Sequence, residues 1–442
     1  MAANWSTPRD WDEWVSWLQA GLHARSRWRL PLVAIGMLFA KGRRTVTSWL
    51  RAAGIGDDYI DYYYFIGSVG RKTGVIATQL LIALLRFLPL GPRVLLAIDD
   101  TPTKRYGPKV QGAGIHHNPT PGPADQRFLY GHIWVTLSLV VRHAWWGTIG
   151  LPLLAWLYVR RKDVSKLPSK HGWEFLTKLE LAVRLMQWIV PWLVRASKQV
   201  WVVVDGGYAR RPLLRPLRAQ GVTVVGRLRR DAGLRDVPPP RTGRRGRPRK
   251  YGAHKLSLAK RAGQRGGWQQ VSCRLYGEDV VKTFKTFLAT YEKADGLIRV
   301  VIVKEDDGWM PYFCTDANAS VVEILEAVAD REAIEQDFHD LKEVWGAGQQ
   351  QVRNLWANLG VFHLNLWLHT LVELWAWKRP KSQLTDRRAS PWDDPQRRPS
   401  HQDRLRALRR SCLHEELTAL RQTEQLPRKI RTFLRRLGNL AA

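Results

Sequence analysis

The sequence predicts an α/β fold: a mixed sheet flanked by helices, with a helical unit before it, a basic β-rich insertion within it and a basic helical tail after it. Three observations carry this. Apolar residues recur at helical spacing before residue 90, short buried-strand runs replace them from residue 92, and strands and helices then share the chain. On this reading the 442 residues divide into 1–90, 91–228, 229–316, 317–377 and 378–442.

In the N-terminal unit Trp11, Trp14, Val15 and Leu18 lie at helical spacing, and an apolar segment follows at 30–40. Within KGRRTVTSWLRAAGI, Thr45 is placed to cap a short helix with Trp49 and Leu50 inward and Arg43, Arg44 and Arg51 outward. Two readings stand: a small DNA-binding unit, or a helical region whose arginines only meet solvent.

Residues 94–100 (VLLAIDD) read as a short buried strand ending in two carboxylates, and 132–142 and 147–159 as further strands. Residues 166–194 are helical, 199–205 (QVWVVVD) a strand ending in Asp, 210–220 a helix and 222–227 a strand. This mixed order implies three layers around one sheet.

Between residues 227 and 265 there are 14 Lys/Arg and two acids, with a run of three prolines and the stretch RTGRRGRPRKYG. Strands follow at 268–275, 280–288, 298–304 and 309–314. One long helix is expected over 318–344 and a second over 353–377. The tail holds 17 Lys/Arg against seven acids, with a Pro/Ser-rich linker at 390–400.

The net charge of +31, from 70 Lys+Arg and 39 Asp+Glu, points to a polyanionic partner, nucleic acid ahead of an acidic membrane surface. A hydrophobic content of 45% excludes wholesale disorder. Three scattered cysteines without a CxxC pair argue against a zinc finger or disulfide framework and for a reducing compartment. Neither a signal peptide nor an uncharged apolar run of about 18 residues is present, so a soluble, cytoplasmic, nucleoid-associated protein with no membrane role is expected.

Three acidic positions stand out. Asp99–Asp100 and Asp205 end predicted strands, and open α/β sheets build their sites beyond the carboxyl ends of strands. Glu335 lies on the predicted helix over 318–344, where Arg331, Glu335, Phe338 and Lys342 share a face. Hard oxygen ligands favour Mg²⁺ or Mn²⁺. Two such ions suit in-line displacement at a phosphodiester. Arg331 and Lys342 would serve as positioning cations.

Together these residues resemble the DDE transposases of bacterial insertion sequences, in the branch whose RNase H-like core carries a β-rich insertion. That branch's signature, Tyr-x2-Arg-x3-Glu-x6-Lys, is matched by Arg331, Glu335 and Lys342, with Val328 at the tyrosine position. LAIDDTPTKRYG resembles the first-aspartate region and VVVDGGY the second. The resemblance, over roughly residues 40–377, implies Asp100, Asp205 and Glu335 as metal ligands. Asp99 stays the alternative first ligand, because neighbouring strand residues face opposite ways. It further implies an enzyme that binds its element's terminal repeats, pairs them as a homodimer, cuts the DNA and joins the 3′ ends to target DNA. Two alternatives are a catalytically lapsed DNA-binding descendant and an RNase H-like nuclease that does not join.

The run from Arg244 through Arg245, Arg247 and Arg249 to Lys250 reads as a minor-groove hook led by Arg245 and Arg247, or as a flexible basic loop on phosphates. Both readings put it on DNA. His116, His117 and Asn118 are expected on a loop near the first aspartate, as phosphate contacts or plain loop residues. Trp309 and Trp345 are expected in packing, or stacked on a splayed base.

Overall fold

The computed structural model describes residues 5–118, 126–239, 249–387 and 392–423. Among the described residues five helices come first: α1 (Arg9–Ala20), α2 (Arg29–Phe39), α3 (Val46–Ala52), α4 (Tyr59–Arg71) and α5 (Thr73–Phe87). α3 starts as its sequence dictates: the Thr45 hydroxyl accepts the Ser48 N–H at 3.1 Å, satisfying one of the free donors of the first turn. Trp49 and Leu50 are buried, and Arg43 and Arg51 face solvent. Arg44 departs from expectation. It is half-buried, and its backbone N–H donates to the Gln349 side chain at 2.8 Å, so it joins this unit to the loop that follows residue 343.

The sheet begins with β1 (Arg93–Lys104), β2 (Gly114–His117), β3 (Phe128–His143) and β4 (Gly147–Tyr158). A one-turn helix α6 (Arg161–Val164) precedes α7 (Lys178–Arg195), β5 (Gln199–Val204), α8 (Arg211–Ala219) and β6 (Thr223–Arg227). The helix expected from residue 166 starts only at Lys178. A 3₁₀ turn at Ser169–His171 ends on Gly172 at φ 57°, and Thr177 and Glu180 form a reciprocal capping box where α7 begins. The expected strand at 94–100 also runs further, to Lys104, because β3 pairs with it antiparallel along that whole length.

The insertion adds β7 (Leu234–Arg235), β8 (Lys255–Leu256), α9 (Leu258–Gly263), β9 (Gln269–Leu275), β10 (Glu278–Tyr291), β11 (Gly296–Glu305) and β12 (Gly308–Cys314). It extends the core sheet: β12 pairs antiparallel with β6. Among the described residues twelve strands form one sheet, ordered β2-β3-β1-β5-β6-β12-β11-β10-β7-β8, with β4 on β3 and β9 on β10. β1, β5 and β6 run parallel at its centre.

Among the described residues five helices follow: α10 (Val321–Asp330), α11 (Glu332–Glu343), α12 (Leu355–Ala376), α13 (Lys381–Leu384) and α14 (His401–Thr423). The single helix expected over 318–344 is therefore two, parted at Arg331. α7 packs against β3, β4 and β5, and α11 against β1, β3 and β4. They cover opposite faces of β1: Ser138, the cross-strand partner of Ala97, donates to Asp337 on α11 at 2.8 Å, whereas Asp100 meets Lys178 on α7. α12 is buried along almost its whole length, polar residues such as His369 and Glu373 included, and contacts α1, α4, α5, α11, α14 and β4. It meets α4 through paired glycines. A Cβ at Gly70 would lie 1.8 Å from the Trp356 carbonyl oxygen, and one at Gly360 2.1 Å from that of Ile66. No described helix is long and apolar enough to cross a membrane. All three cysteines are buried and unpaired.

Candidate active site

The parallel ladder between β1 and β5 ends at the pair Ile98–Val204. The next residues, Asp99 and Asp205, therefore sit side by side where the two strands part, at the position where open sheets expose functional groups. Asp205 opens the turn Asp-Gly-Gly-Tyr, and one of its carboxylate oxygens accepts the Tyr208 N–H at 2.9 Å.

The third group comes from the break between α10 and α11. Arg331 lies at that junction, and its guanidinium donates to Asp99 Oδ2 at 2.7 Å and to the Glu335 carboxylate one helical turn on. Arg331 thus bridges the strand end to the helix, while Glu335 keeps half of its side chain in solvent. Burial raises the Asp99 carboxyl to about 7; Arg331 opposes this, Asp205 adds to it, and the Asp100 N–H again opposes it. Burial lowers the Arg331 guanidinium, but Asp99, Glu335 and Asp205 outweigh it and hold the charge in place.

Asp100, expected as the first crevice ligand, faces the other way. Its Oδ2 accepts Lys178 Nζ at 2.6 Å and its Oδ1 accepts the Tyr208 hydroxyl at 2.9 Å, both on the α7 face. The reason is the period of two along a strand. Of the two neighbours, Asp99 is the one brought to Arg331, Glu335 and Asp205.

Beside these carboxylates lies an open crevice of about 820 Å³, lined by Asp205, Arg331, Glu335, Val328 and the exposed Arg227, Arg229 and Arg230. Val328, at the tyrosine position of the motif, takes part in that wall. The hairpin between β9 and β10 turns through Tyr276 and Gly277, both at positive φ, and adds the Tyr276 ring to the same wall. Lys342 is not part of this group. It is half-buried, burial lowers its ammonium, and eleven residues of helical rise part it from Arg331 by roughly 16 Å.

The other expected positions scatter. Arg249 and Lys250 are exposed, but Lys250 is paired with Asp295 at 2.6 Å; Arg244, Arg245 and Arg247 lie outside the described residues. His116 and His117 are on β2 rather than a loop, and His116 is buried, its imidazole lowered to about 4 by burial, then by Arg160 and Lys178. Trp309 carries Arg230 over its ring at 5.1 Å, and Trp345 is buried with its indole N–H on His401.

Sequence reasoning missed Lys178, Tyr208, Tyr276 and the arginines at 227, 229 and 230. Only Tyr208 carried a usable signal, the three-residue spacing from Asp205 that lets its N–H reach back to the carboxylate.

A second polar cluster, Asp340, His369 and His401, is buried behind α11. Its two imidazoles stack nearly parallel, 4.0 Å apart and 18° inclined, so their in-plane lone pairs do not converge. His401 Nδ1 bonds Glu373, which also pairs with Arg404. This network joins α14 to α11 and α12 as an ion-pair core, chemically unlike the hard-oxygen group at the strand ends.

Residues 18–279 match the family of the DDE superfamily endonucleases. No curated protein matches the chain.

Proposed function

The chain belongs to the DDE superfamily endonucleases, a family of metal-dependent DNA-cleaving enzymes, and from that premise we propose that it is a transposase that cuts DNA at the ends of an insertion sequence and joins the freed 3′ ends to a target. The observation that carries this reading is the convergence of Asp99, Asp205 and Glu335 around Arg331, beside a crevice walled by arginines.

Asp99, Asp205 and Glu335 fit a pair of Mg²⁺ or Mn²⁺ ions. The donors are all carboxylate oxygens, and Asp99 is pushed up to about 7 in part because Asp205 stands beside it, a crowding that divalent charge relieves. When bound, such ions activate a water or 3′-hydroxyl and stabilise the leaving oxygen. Asp100 takes no part in holding them on this reading, since Lys178 and Tyr208 engage both of its oxygens.

The chain's own residues do the rest. Arg331 holds Asp99 and Glu335 in register before DNA arrives, and its guanidinium is placed to meet a phosphate once it does. Arg227, Arg229 and Arg230 line the crevice and would carry the flanking backbone. The exposed Arg43, Arg51 and Arg249 widen the surface available to the terminal repeats. The enzyme would act as a homodimer paired on two ends. Lys342 would contact backbone away from the scissile phosphate.

The test is a strand-transfer assay on a labelled duplex carrying the element's own end, with Mg²⁺ and a target plasmid. Joined products are expected. Cleavage without joining would reduce the proposal to a nuclease, and binding without chemistry to a lapsed descendant.

A further inference from the structure

One residue touches both strand ends. Tyr208, at the close of the Asp-Gly-Gly-Tyr turn, gives its backbone N–H to Asp205 Oδ1 at 2.9 Å and its phenol O–H to Asp100 Oδ1 at 2.9 Å. Its side chain is 4% exposed, so packing rather than solvent fixes where the hydroxyl points. Lys178, the first residue of α7, closes the arrangement from the other oxygen of Asp100 at 2.6 Å. Asp100 in turn gives its own N–H to Asp99 Oδ1 at 2.8 Å. A chain of hydrogen bonds therefore runs from Asp205 through Tyr208 and Asp100 to Asp99.

The chain crosses a gap that nothing in the ladder closes. β1 and β5 stop pairing at Ile98–Val204, one residue short of the carboxylates. Beyond that point β3 still holds the backbone of Asp99 and the turn closes on the carbonyl of Asp205, but the link from one carboxylate to the other runs through side chains. A metal pair tolerates little error in that separation, and groups hydrogen-bonded to ligands tune affinity as ligands do.

We propose that Tyr208 is a positioning residue that sets the spacing of Asp99 and Asp205 for divalent-cation binding, with Asp100 as its anchor and Lys178 as the counter-charge of that anchor. This rests on the reading of Asp99 and Asp205 as metal ligands. It gives the second carboxylate of the Asp99–Asp100 pair a role of its own: both its oxygens are engaged, and it works on the opposite face of β1. The phenol acts only as a donor here. Burial, then Asp100 and Asp99, hold it well above its ordinary range, so it does not compete with the carboxylates as an anion.

The experiment is Mn²⁺ binding to the full-length protein, followed by electron paramagnetic resonance of free Mn²⁺ and read independently of any DNA chemistry. Wild type is compared with Tyr208→Phe, Asp100→Ala, the double variant Tyr208→Phe/Asp100→Ala, Lys178→Met and Asp99→Asn. Tyr208→Phe is expected to weaken Mn²⁺ binding about tenfold, the scale on which groups supporting a ligand act. It should add nothing in the Asp100→Ala background, because the anchor is already gone. Lys178→Met should move affinity in the same direction, and Asp99→Asn should abolish binding. Thermal melting of each variant separates loss of fold from loss of spacing.

Equal Mn²⁺ affinity in wild type and a folded Tyr208→Phe overturns the brace while leaving the ligand assignment standing. Additive losses in the double variant overturn it too, since the two residues would then act separately. Wild type that binds no Mn²⁺ overturns the ligand reading itself, and the brace with it. Binding abolished by Asp100→Ala but kept by Asp99→Asn would exchange the roles of the two aspartates and likewise overturn the proposal.

Discussion

Arg331 reaches from the break between α10 and α11 to Asp99 on β1, guanidinium to Oδ2 at 2.7 Å, and so ties the Glu335 helix to the strand that carries the first carboxylate. The pair is about four-fifths buried on both sides. Replacing Arg331 with Ala leaves Asp99 crowded by Asp205 without its counter-charge. Strand cleavage is expected to fall at least about 100-fold, the usual scale for losing a charged group aimed at the reacting centre. Arg331→Lys should recover little, because one ammonium cannot serve Asp99 and Glu335 in the guanidinium's fork geometry. Single-turnover cleavage of an end-bearing duplex reads this directly.

The arginines of the N-terminal unit divide by exposure. Arg43 and Arg51 are exposed, whereas Arg44 is half-buried, with a guanidinium nitrogen that meets no partner among the described residues. Arg43→Ala and Arg51→Ala are each expected to reduce the slope of log affinity for DNA against log salt by about one and to leave melting unchanged. Arg44→Ala should show itself in folding stability instead. Fluorescence anisotropy at several salt concentrations, with a thermal melt of each variant, checks the division.

The contact between α4 and α12 leaves no room for a side chain. Gly360→Ala is expected to lower stability by about 1–3 kcal/mol or more, since the new methyl would press on the Ile66 carbonyl and force the helices apart. Gly70→Ala should do the same against Trp356. Equilibrium denaturation measures both. A mild change at either position would mean that the helices give way more readily than their packing implies.

The buried network around Glu373 predicts a pH dependence with a definite sign. Burial raises the Glu373 carboxyl, but Arg404 and His401 outweigh it and bring the group down to about 2, below its ordinary 4.5. A depressed carboxylate stabilises the fold above its unfolded pKa, and that contribution fades as pH falls from 4.5 towards 2. Glu373→Gln should therefore cost stability at pH 7, on the scale of about 3–5 kcal/mol for breaking a buried pair. The gap to wild type should close on acidification. Melting curves of the two proteins between pH 7 and 3 test the convergence.

Much of this was legible in the sequence, and the limits were physical ones. Strand runs such as VLLAIDD and QVWVVVD announce themselves, because a strand buried on both faces has to be apolar throughout. The helical spacing of Arg331 and Glu335 likewise shows in one dimension. What periodicity cannot show is where a helix breaks. A single helix through Arg331 and two helices meeting there have nearly the same pattern. It also cannot show which of two adjacent aspartates faces the helix, since β1 is apolar on both faces and its register is set by partners far away in the chain, β3 and β5. Tyr276 was invisible for a similar reason, because only the continuation of the core sheet into β12, β11 and β10 brings its hairpin back to the crevice.

Mg²⁺-dependent cleavage of an end-bearing duplex by Asp99→Asn and Asp100→Asn side by side, with DNA binding measured for both, decides which of the two aspartates serves the metal site. Asp99→Asn is expected to bind DNA still and to lose cleavage by at least about 1000-fold. Asp100→Asn should lose roughly tenfold and regain most of it at high metal concentration, as expected of a residue that supports a ligand. Full cleavage by Asp99→Asn, with Asp100→Asn inactive at every metal concentration, would contradict the assignment of Asp99 to that site.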